Sequence, residues 1–202
     1  MQPQNNIDNS LPLVVVNPRS AGGSTESKWS GVAADVRAHF GPFAVAFTKG
    51  PGDAVTIAES EAKAGRTFII ACGGDGTINE VVNGIMASGE DVEFGVLPSG
   101  TGGDFRRSLD ISHGTREAAA ALRDGVTKTI DVGRVTFRDH DHNEVTRYFV
   151  NVSSAGLAAE VIKRVKSQKV FDRLPGASLR GRANFAASTL QEIVNLRERH
   201  FE

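Results

Sequence analysis

Short, wholly apolar runs alternate with segments of helical periodicity over the first 125 or so residues of the chain. Apolar runs occupy residues 11–16, 43–47, 67–72 and 94–97. Between the first two, apolar residues recur every three or four positions, as in the series from Trp29 to Phe40. A strand without a polar side has both faces buried, which is typical of a parallel sheet covered by helices. Right-handed crossovers then predict a doubly wound, mostly parallel α/β sheet.

Further helices are predicted over residues 53–64, 77–88 and 115–123. Beyond about residue 125 the pattern changes to two strand-like runs, "TIDVGRVTF" and "RYFVNVSSAG", joined by the polar turn "RDHDHNE". Helices follow over residues 157–169 and 183–198. We therefore predict a disordered tail over residues 1–10, an α/β domain over 11–127, and the start of a β-rich second domain with helices over 128–202.

The composition excludes several classes of protein. Of the 202 residues, 40% are hydrophobic and 23% are charged, and the net charge of -1 gives no field that would attract nucleic acid. Cys72 is the single cysteine, so no internal disulfide forms, which favours a reducing cytoplasm. The polar start "MQPQNNIDNS" is not typical of a signal peptide, and no apolar run approaches the roughly 18 residues of a membrane span.

The stretch "CGGDGTINEVVNG", residues 72–84, leaves a buried strand through glycines and enters a helix at once. Glycines let backbone N–H groups approach a ligand, and the helix adds its positive amino-terminal end, so the pattern favours a phosphate cradle. Thr77 could bind the ligand or cap the helix. Asp75 would repel phosphates unless Mg²⁺ stands between them, or unless it takes a proton from a substrate hydroxyl. A plain Asp-Gly turn is the alternative.

Two other glycine-rich loops follow predicted strands. "NPRSAGG" offers Asn17 and Ser20 as donors and Arg19 as a cation, and "GTGGDF" offers Thr101 and then Asp104. Neither loop matches the dinucleotide-binding or the Walker pattern. The "HDH" of residues 140–142 has no third ligand in view and indicates a solvated hairpin tip, so we predict no metal site built from protein ligands alone.

Taken in order, these loops resemble the diacylglycerol kinase catalytic domain family, which includes bacterial lipid kinases and sphingosine kinases. The matching segments are "VVNPRSAGG", "FTKGPGDA", "ACGGDGTINEVVNGI" and "GVLPSGTGGDFRRSL", and the resemblance continues through "IDVGRV" and "YFVNVSSAGLAAEV". "GGDGT" alone is shared with the NAD kinase and phosphofructokinase families.

The resemblance implies transfer of a phosphoryl group from ATP, with Mg²⁺, to a lipid hydroxyl of the diacylglycerol or sphingoid-base class. By position, the nucleotide-binding residues would be Asn17, Pro18, Arg19, Ser20, Ala21, Thr48, Gly73, Gly74, Asp75, Gly76, Thr77, Ile78, Asn79 and Thr101. The chain departs from the family at Ala21, where glycine is frequent, and at Gly103, where asparagine is common. The second departure removes a side-chain amide that would make one nucleotide or hinge contact.

The resemblance also implies a longer protein with a β-sandwich lipid-substrate domain. On that basis the chain is expected to be truncated and to turn over little substrate by itself, because the main base would lie beyond residue 202; Asp75 is the catalytic candidate within the chain. The alternatives are an NAD kinase-like enzyme and a non-catalytic nucleotide-binding fragment. Unpaired strand edges of an unfinished sandwich favour self-association into a homo-oligomer.

A basic segment suggests where a lipid substrate would be met. Residues 160–182 contain seven lysines and arginines against two acids, with apolar residues interleaved. Such a segment either forms a solvated helix face or binds the anionic inner leaflet. The second reading predicts a cytoplasmic protein that associates peripherally with the membrane.

Overall fold

The computed structural model of the protein describes residues 9–99, 103–151, 161, 164–165 and 184–191. Strands and helices alternate from the first strand to the fourth helix; a fifth helix and then two further strands follow. Their bounds are β1 Leu13–Val16, α1 Ser24–His39, β2 Ala44–Phe47, α2 Asp53–Lys63, β3 Phe68–Gly73, α3 Asp75–Ser88, β4 Glu93–Pro98, α4 Asp104–Ser108, α5 Thr115–Asp124, β5 Gly133–Arg138 and β6 Glu144–Phe149.

The first four strands form one parallel sheet in the order β2-β1-β3-β4. This confirms the predicted doubly wound α/β class. The chain leaves β1 towards β2 on one side but returns to β3 on the other side of β1, so the order reverses between β1 and β3. In open α/β sheets, ligands bind beyond the carboxyl ends of the strands at such a reversal.

Side chains alternate between two apolar layers on the two faces of this sheet. Leu13 and Val15 of β1 pack with residues of α2 and α3, such as Ala58 and Val81. Val14 and Val16 point the other way and pack with α1 and α5. All four side chains of β1 are buried, which is why the strand shows no polar position in the sequence.

Helices α2 and α3 approach each other closely through a glycine. A Cβ built on Gly84 would lie 2.4 Å from the Val55 carbonyl oxygen and 2.7 Å from the Ala58 Cβ. Both contacts are with parts of α2 that cannot rotate away: a backbone oxygen and a Cβ. The absence of a side chain at Gly84 therefore sets the distance between the helix that carries the glycine-rich turn and its neighbour.

We expect Gly84→Ala to lower the free energy of unfolding by about 1–3 kcal/mol, because the added methyl group must push α2 and α3 apart. The control is Gly31→Ala in α1, where the new Cβ meets no atom within 4 Å. That change should raise the free energy of unfolding by up to about 1 kcal/mol through helix propensity. Urea titrations of the two variants measure both effects, and equal shifts would contradict the close approach.

Strands β5 and β6 form the predicted hairpin, but with different bounds. They pair antiparallel from Gly133↔Phe149 to Arg138↔Glu144. The predicted first strand began at residue 129, whereas β5 begins at Gly133. The predicted second strand covered 147–156, whereas β6 spans Glu144–Phe149; residues 152–156 lie outside the described residues. Arg138 and Glu144 were predicted to belong to the turn; as an oppositely charged cross-strand pair they extend the ladder instead.

The chain divides into two compact units, Met1–Asn151 and Val152–Glu202. The hairpin belongs to the first unit, whereas the predicted domain boundary lies before it, at residue 127; that boundary stays a prediction. In the second unit the described residues 161, 164–165 and 184–191 are helical. The rest of the predicted helices at 157–169 and 183–198 lies outside the described residues.

Two local features were not predicted from the sequence. The chain forms a tight turn at Ser20–Gly23 and a five-residue helix, α4, after the last strand of the parallel sheet. Among the described residues, no helix combines the length and apolar character needed to cross a membrane.

Candidate nucleotide-binding site

A cleft of about 510 Å³ lies at the carboxyl ends of β1, β2 and β3. The loops that follow these three strands supply most of its wall, at the point where the strand order reverses. Its lining residues are Asn17, Arg19, Ser20, Ala21, Thr48, Lys49, Gly50, Pro51, Ala54, Gly74, Asp75, Gly76, Thr77 and Glu80.

The loop after β1 and the loop after β3 are joined by a hydrogen bond at the cleft. The Asn17 side-chain amide donates to the Thr77 hydroxyl at 3.0 Å, and Thr77 is buried. A Cβ on Gly73 would lie 2.4 Å from the same hydroxyl. Gly73 is therefore required by packing within the protein, because a side chain there would displace Thr77 and break its contact with Asn17.

Gly74 and Gly76 differ from Gly73 in having no such requirement. A Cβ at either position would meet no atom of the described part of the chain within 4 Å. Gly74 has φ -92° and ψ -174°, an extended conformation that any residue can adopt. Both glycines line the cleft, and a side chain on either would project into open space near it. Glycines that neither packing nor backbone geometry demands fit a ligand whose atoms come close to the main chain.

The loop after β1 holds a strained residue. Ala21 has φ 54° and ψ 35°, in the left-handed region that costs an alanine roughly 1–2 kcal/mol. This explains why a glycine suits the position. The turn is held by the side chain of Ser20. Its hydroxyl lies 2.6 Å from the hydroxyl of buried Thr25 and accepts or donates a hydrogen bond. Thr25 also bonds the Ser99 hydroxyl at the end of β4, so the first loop is tied to the fourth strand.

Asp75 links the glycine-rich turn to α4. Its Oδ2 accepts the N–H groups of Gly103 at 3.0 Å and Asp104 at 3.4 Å, and its Oδ1 accepts that of Phe105 at 3.3 Å. The carboxylate thus caps the amino-terminal end of α4, with which a negative charge interacts favourably. Gly103 has φ 73° and ψ 41°, and asparagine also tolerates this left-handed conformation, so either residue can present its N–H to Asp75.

The cleft contains two cations and two carboxylates. Arg19 and Lys49 are exposed, and neither forms an ion pair with any carboxylate in the described parts of the chain. By contrast, the carboxylates are engaged with backbone groups: Asp75 as described, and Glu80 through the Ala54 N–H at 3.3 Å. The cations are therefore the groups available to a negatively charged ligand.

Nine of the predicted nucleotide-binding residues line the cleft: Asn17, Arg19, Ser20, Ala21, Thr48, Gly74, Asp75, Gly76 and Thr77. Pro18, Gly73, Ile78 and Asn79 are not among the lining residues, and Thr101 lies outside the described residues. Ile78 is buried in the apolar layer between the sheet and α2. The roles of all these residues in binding stay predictions.

Five lining residues were not predicted: Lys49, Gly50, Pro51, Ala54 and Glu80. "KGPG" could have been included, because it follows a strand of the same parallel sheet and must emerge at the same edge. The loop is shaped by Asp53, whose Oδ2 accepts the N–H groups of Lys49 at 2.6 Å and Gly50 at 3.0 Å. Glu80 could not be predicted in this way, because it lies within α3 rather than in a loop after a strand. It lines the cleft only because of the way α3 is oriented.

The single cysteine and the histidines bear on thiol and metal chemistry. Cys72 is buried, and burial raises the pKa of its thiol to about 12, which makes it a poor nucleophile at neutral pH. Within the described ranges, no three His, Cys, Asp or Glu side chains come together as a metal-binding group. His140 and His142 are exposed in the turn between β5 and β6.

Comparisons with known proteins agree with this geometry. The sequence model of the diacylglycerol kinase catalytic domain matches residues 12–135, and the chain belongs to that family. A diacylglycerol kinase from Bacillus subtilis is 38% identical over 118 residues, which cover 58% of this chain and 36% of that protein. One from Staphylococcus haemolyticus is 36% identical over 114 residues, covering 56% and 32%.

A solved structure of a diacylglycerol kinase from Bacillus anthracis superposes with a TM-score of 0.55 at 28% identity, covering 63% of this chain and 46% of that one. The matched part of the chain therefore spans about a third of the length of the curated relatives, and less than half of the solved relative. The fold and the family are thus established for the α/β part of the chain.

Proposed function

We propose that this protein is an ATP-dependent lipid kinase that transfers the γ-phosphoryl group to a hydroxyl of the diacylglycerol or sphingoid-base class. One observation carries the nucleotide assignment: Gly74 and Gly76 line a cleft at the strand reversal, and no contact among the described residues requires them to be glycine. Membership of the diacylglycerol kinase catalytic domain family supports the lipid acceptor.

In this proposal the phosphates lie against the turn at residues 73–77. The main chain at Gly74 and Gly76 allows close approach of phosphate oxygens, and the amino-terminal end of α3 favours their negative charge. Arg19 and Lys49 lie on the wall of the cleft and offset the charge of the β- and γ-phosphates. Phosphoryl transfer depends mainly on positioning and charge neutralisation, which is what this cleft offers.

The cleft also suits Mg²⁺, which commonly binds through one or two carboxylates together with substrate phosphates. Asp75 and Glu80 are the lining carboxylates, and Mg²⁺ would supply neutralisation of charge on the bridging and γ-phosphate oxygens. In the reaction the bond between the γ-phosphorus and the β–γ bridging oxygen breaks. A bond from the lipid hydroxyl oxygen to that phosphorus forms, and the hydroxyl proton passes to a base.

We propose that Asp75 acts first as a positioning residue for the loop after β4. Asp75→Asn should lower the free energy of unfolding by about 1–3 kcal/mol, because an amide cannot accept from Gly103 and Phe105 with the strength of a carboxylate. Hydrogen exchange at the Phe105 amide should accelerate in parallel. The control is Asp104→Asn, whose carboxylate pairs at the surface with Arg107 and is 59% exposed.

If Asp75 serves only as the catalytic base, Asp75→Asn will abolish turnover while stability and Phe105 exchange stay at wild-type values. A loss confined to turnover would therefore contradict the positioning role and support the base.

The acceptor separates this proposal from its alternatives. Label transfer from γ-labelled ATP should be measured with the protein encoded by the complete open reading frame. Diacylglycerol, sphingosine and NAD are each offered as the acceptor. We expect label in one of the two lipids and none in NAD. Label in NAD alone would favour the NAD kinase-like alternative, and nucleotide binding without transfer to any acceptor would favour a non-catalytic role.

A peripheral membrane contact in the cytoplasm is the remaining part of the proposal. The basic segment at 160–182 lies largely outside the described residues, so its sequence alone supports this step. We expect wild type to co-sediment with anionic vesicles, and the quadruple glutamine variant of Lys163, Arg164, Lys166 and Lys169 to bind up to about a thousandfold less, since each basic residue contributes about 1 kcal/mol at modest salt.

The matched control replaces four basic residues of the α/β part with glutamine: Lys28, Arg37, Lys63 and Arg123. Equal vesicle binding by the two quadruple variants, or no binding by wild type at low salt, would exclude the basic segment as the membrane contact.

A further inference from the structure

A buried asparagine lies in the middle of helix α3, among apolar residues. Asn83 is 7% exposed, and the buried Val82 and Ile85 lie next to it and two residues further on. A polar side chain in such a position must satisfy its hydrogen-bonding groups inside the protein. Its partners are in the hairpin and on its own helix.

The Asn83 side chain forms hydrogen bonds with the edge of β6 that faces away from β5, as a neighbouring strand would. Its Nδ2 donates to the Tyr148 carbonyl oxygen at 2.8 Å, and its Oδ1 accepts the Tyr148 N–H at 2.9 Å. Asn79, one turn earlier, donates to the same carbonyl oxygen at 3.0 Å. Tyr148 is paired with Arg134 of β5 on its other side, so both edges of the strand are occupied at this residue.

Asn83 is itself held in place by its helix. Its Nδ2 donates to the Asn79 backbone carbonyl at 2.8 Å, so the second amide hydrogen is also used. With both hydrogens and the oxygen engaged, the side chain has one orientation that satisfies all its groups. This orientation fixes the hairpin on the same helix that begins at the glycine-rich turn.

The residue before Tyr148 lines a second cleft. This cleft has a volume of about 360 Å³, and its wall includes Arg147, Asn79, Asn83 and Glu80. Glu80 lines the first cleft as well, so the two cavities are neighbours on α3. The Arg147 guanidinium lies within 3.3 Å of the Thr146 carbonyl, and no carboxylate in the described part of the chain pairs with it.

We propose that Asn83 is a positioning residue that holds Arg147 beside the nucleotide cleft, by clamping the backbone of Tyr148. The inference rests on the proposed function, because Arg147 gains a role from phosphates bound next to Glu80. The clamp holds a cation in the second cleft, which shares Glu80 with the first. Arg147 acts there on the charge of the phosphoryl group or of the phosphorylated product.

The first test reads the clamp itself. Asn83→Leu keeps the side chain's size and removes its donors and acceptor. Hydrogen exchange at the Tyr148 amide should become at least about tenfold faster, since its hydrogen-bond partner is lost. The exchange rates of amides in β1 and β3 should change by less than about twofold once any change in global stability is taken into account. The control is Ser88→Ala, which removes a hydrogen bond to Ile85 at the end of the same helix. Unchanged Tyr148 exchange in Asn83→Leu overturns the proposal.

The second test measures the effect on Arg147. If Asn83 had a purely structural role, its replacement would leave the response of Arg147 to the nucleotide unchanged. The ¹³Cζ resonance of Arg147, assigned with Arg147→Lys, should shift when Mg-ADP is added to wild type. In Asn83→Leu saturated with Mg-ADP, the Arg147 shift should disappear, because the hairpin no longer holds the residue there. An equal shift in both proteins overturns the positioning role.

The two tests also separate this proposal from the proposed function. If wild type fails to bind ADP at all, the nucleotide assignment fails, and Tyr148 exchange still decides whether the clamp exists. If ADP binds and Arg147 does not respond in wild type, the clamp's link to the cleft is wrong while the nucleotide assignment stands.

Discussion

Replacing Arg66 with methionine is expected to lower the free energy of unfolding by about 3–5 kcal/mol, the cost of removing one partner from a buried ion pair. Arg66 is 1% exposed. Its Nε donates to Glu61 at 2.7 Å, and its Nη2 donates to the Asn9 side chain at 3.0 Å. Its Nη1 also donates to the Leu11 carbonyl, so one side chain joins the end of α2 to the segment that enters β1.

Two further variants make the expectation specific to burial. Lys63→Met breaks a pair with Glu59 on the same helix, but there the side chains are 53% and 35% exposed, so the cost should stay below about 1 kcal/mol. The double variant Glu61→Leu, Arg66→Met should recover part of the loss, because no uncompensated carboxylate is left behind. Equal destabilisation by Arg66→Met and Lys63→Met in urea titrations would show that burial does not strengthen this pair.

This interaction lies far from the cleft along the strand direction. Arg66 precedes β3 and Leu11 precedes β1, whereas the cleft follows the opposite ends of both strands. The amino-terminal end of the sheet therefore stabilises the fold, and the carboxyl end carries the ligand site. Folded Arg66→Met should accordingly retain the nucleotide affinity of wild type.

The parallel sheet was predictable because its signal is local. Val14 and Val16 face one layer while Leu13 and Val15 face the other, so the strand reads as a continuous apolar run. The hairpin was predicted, but its bounds were not. Alternation is weak there, with Phe137 45% exposed, and the register depends on cross-strand pairs that the sequence does not align.

The site was predictable only where its residues lie in loops after strands. Asn17 and Gly74 were found in this way. The role of Asp75 as a cap was not, because its partner N–H groups lie 28 to 30 residues further along the chain. The same holds for Asn83, which gives no signal in a helical stripe until its partner Tyr148, 65 residues away, is placed beside it. Helix α4 is too short to show a period.

Gly74→Val is expected to weaken Mg-ADP binding by about a hundredfold or more. The valine side chain would occupy the open space beside Gly74, where the proposed phosphates approach the main chain. Loss of two charge-assisted hydrogen bonds, worth roughly 1.5–3 kcal/mol each, corresponds to at least that factor. The fold should survive, because a Cβ at this position meets no atom of the described residues within 4 Å and an extended backbone suits a β-branched residue.

Gly31→Val is the matched control. Gly31 also has open space around its Cα, but it is exposed on α1 and does not line the cleft. Valine at this position shows whether replacing an unpacked glycine with a β-branched residue weakens nucleotide binding even when the glycine lies outside the cleft. Circular dichroism and urea titration of both variants establish that each is folded before affinity is compared.

Isothermal titration calorimetry of Mg-ADP against wild type, Gly31→Val and Gly74→Val measures most directly whether the turn at residues 73–77 holds the nucleotide phosphates. We expect wild type and Gly31→Val to bind with affinities within about twofold of each other, and Gly74→Val to bind about a hundredfold or more weakly. Equal affinity in all three folded proteins, or no binding by wild type, would contradict the nucleotide site at this turn.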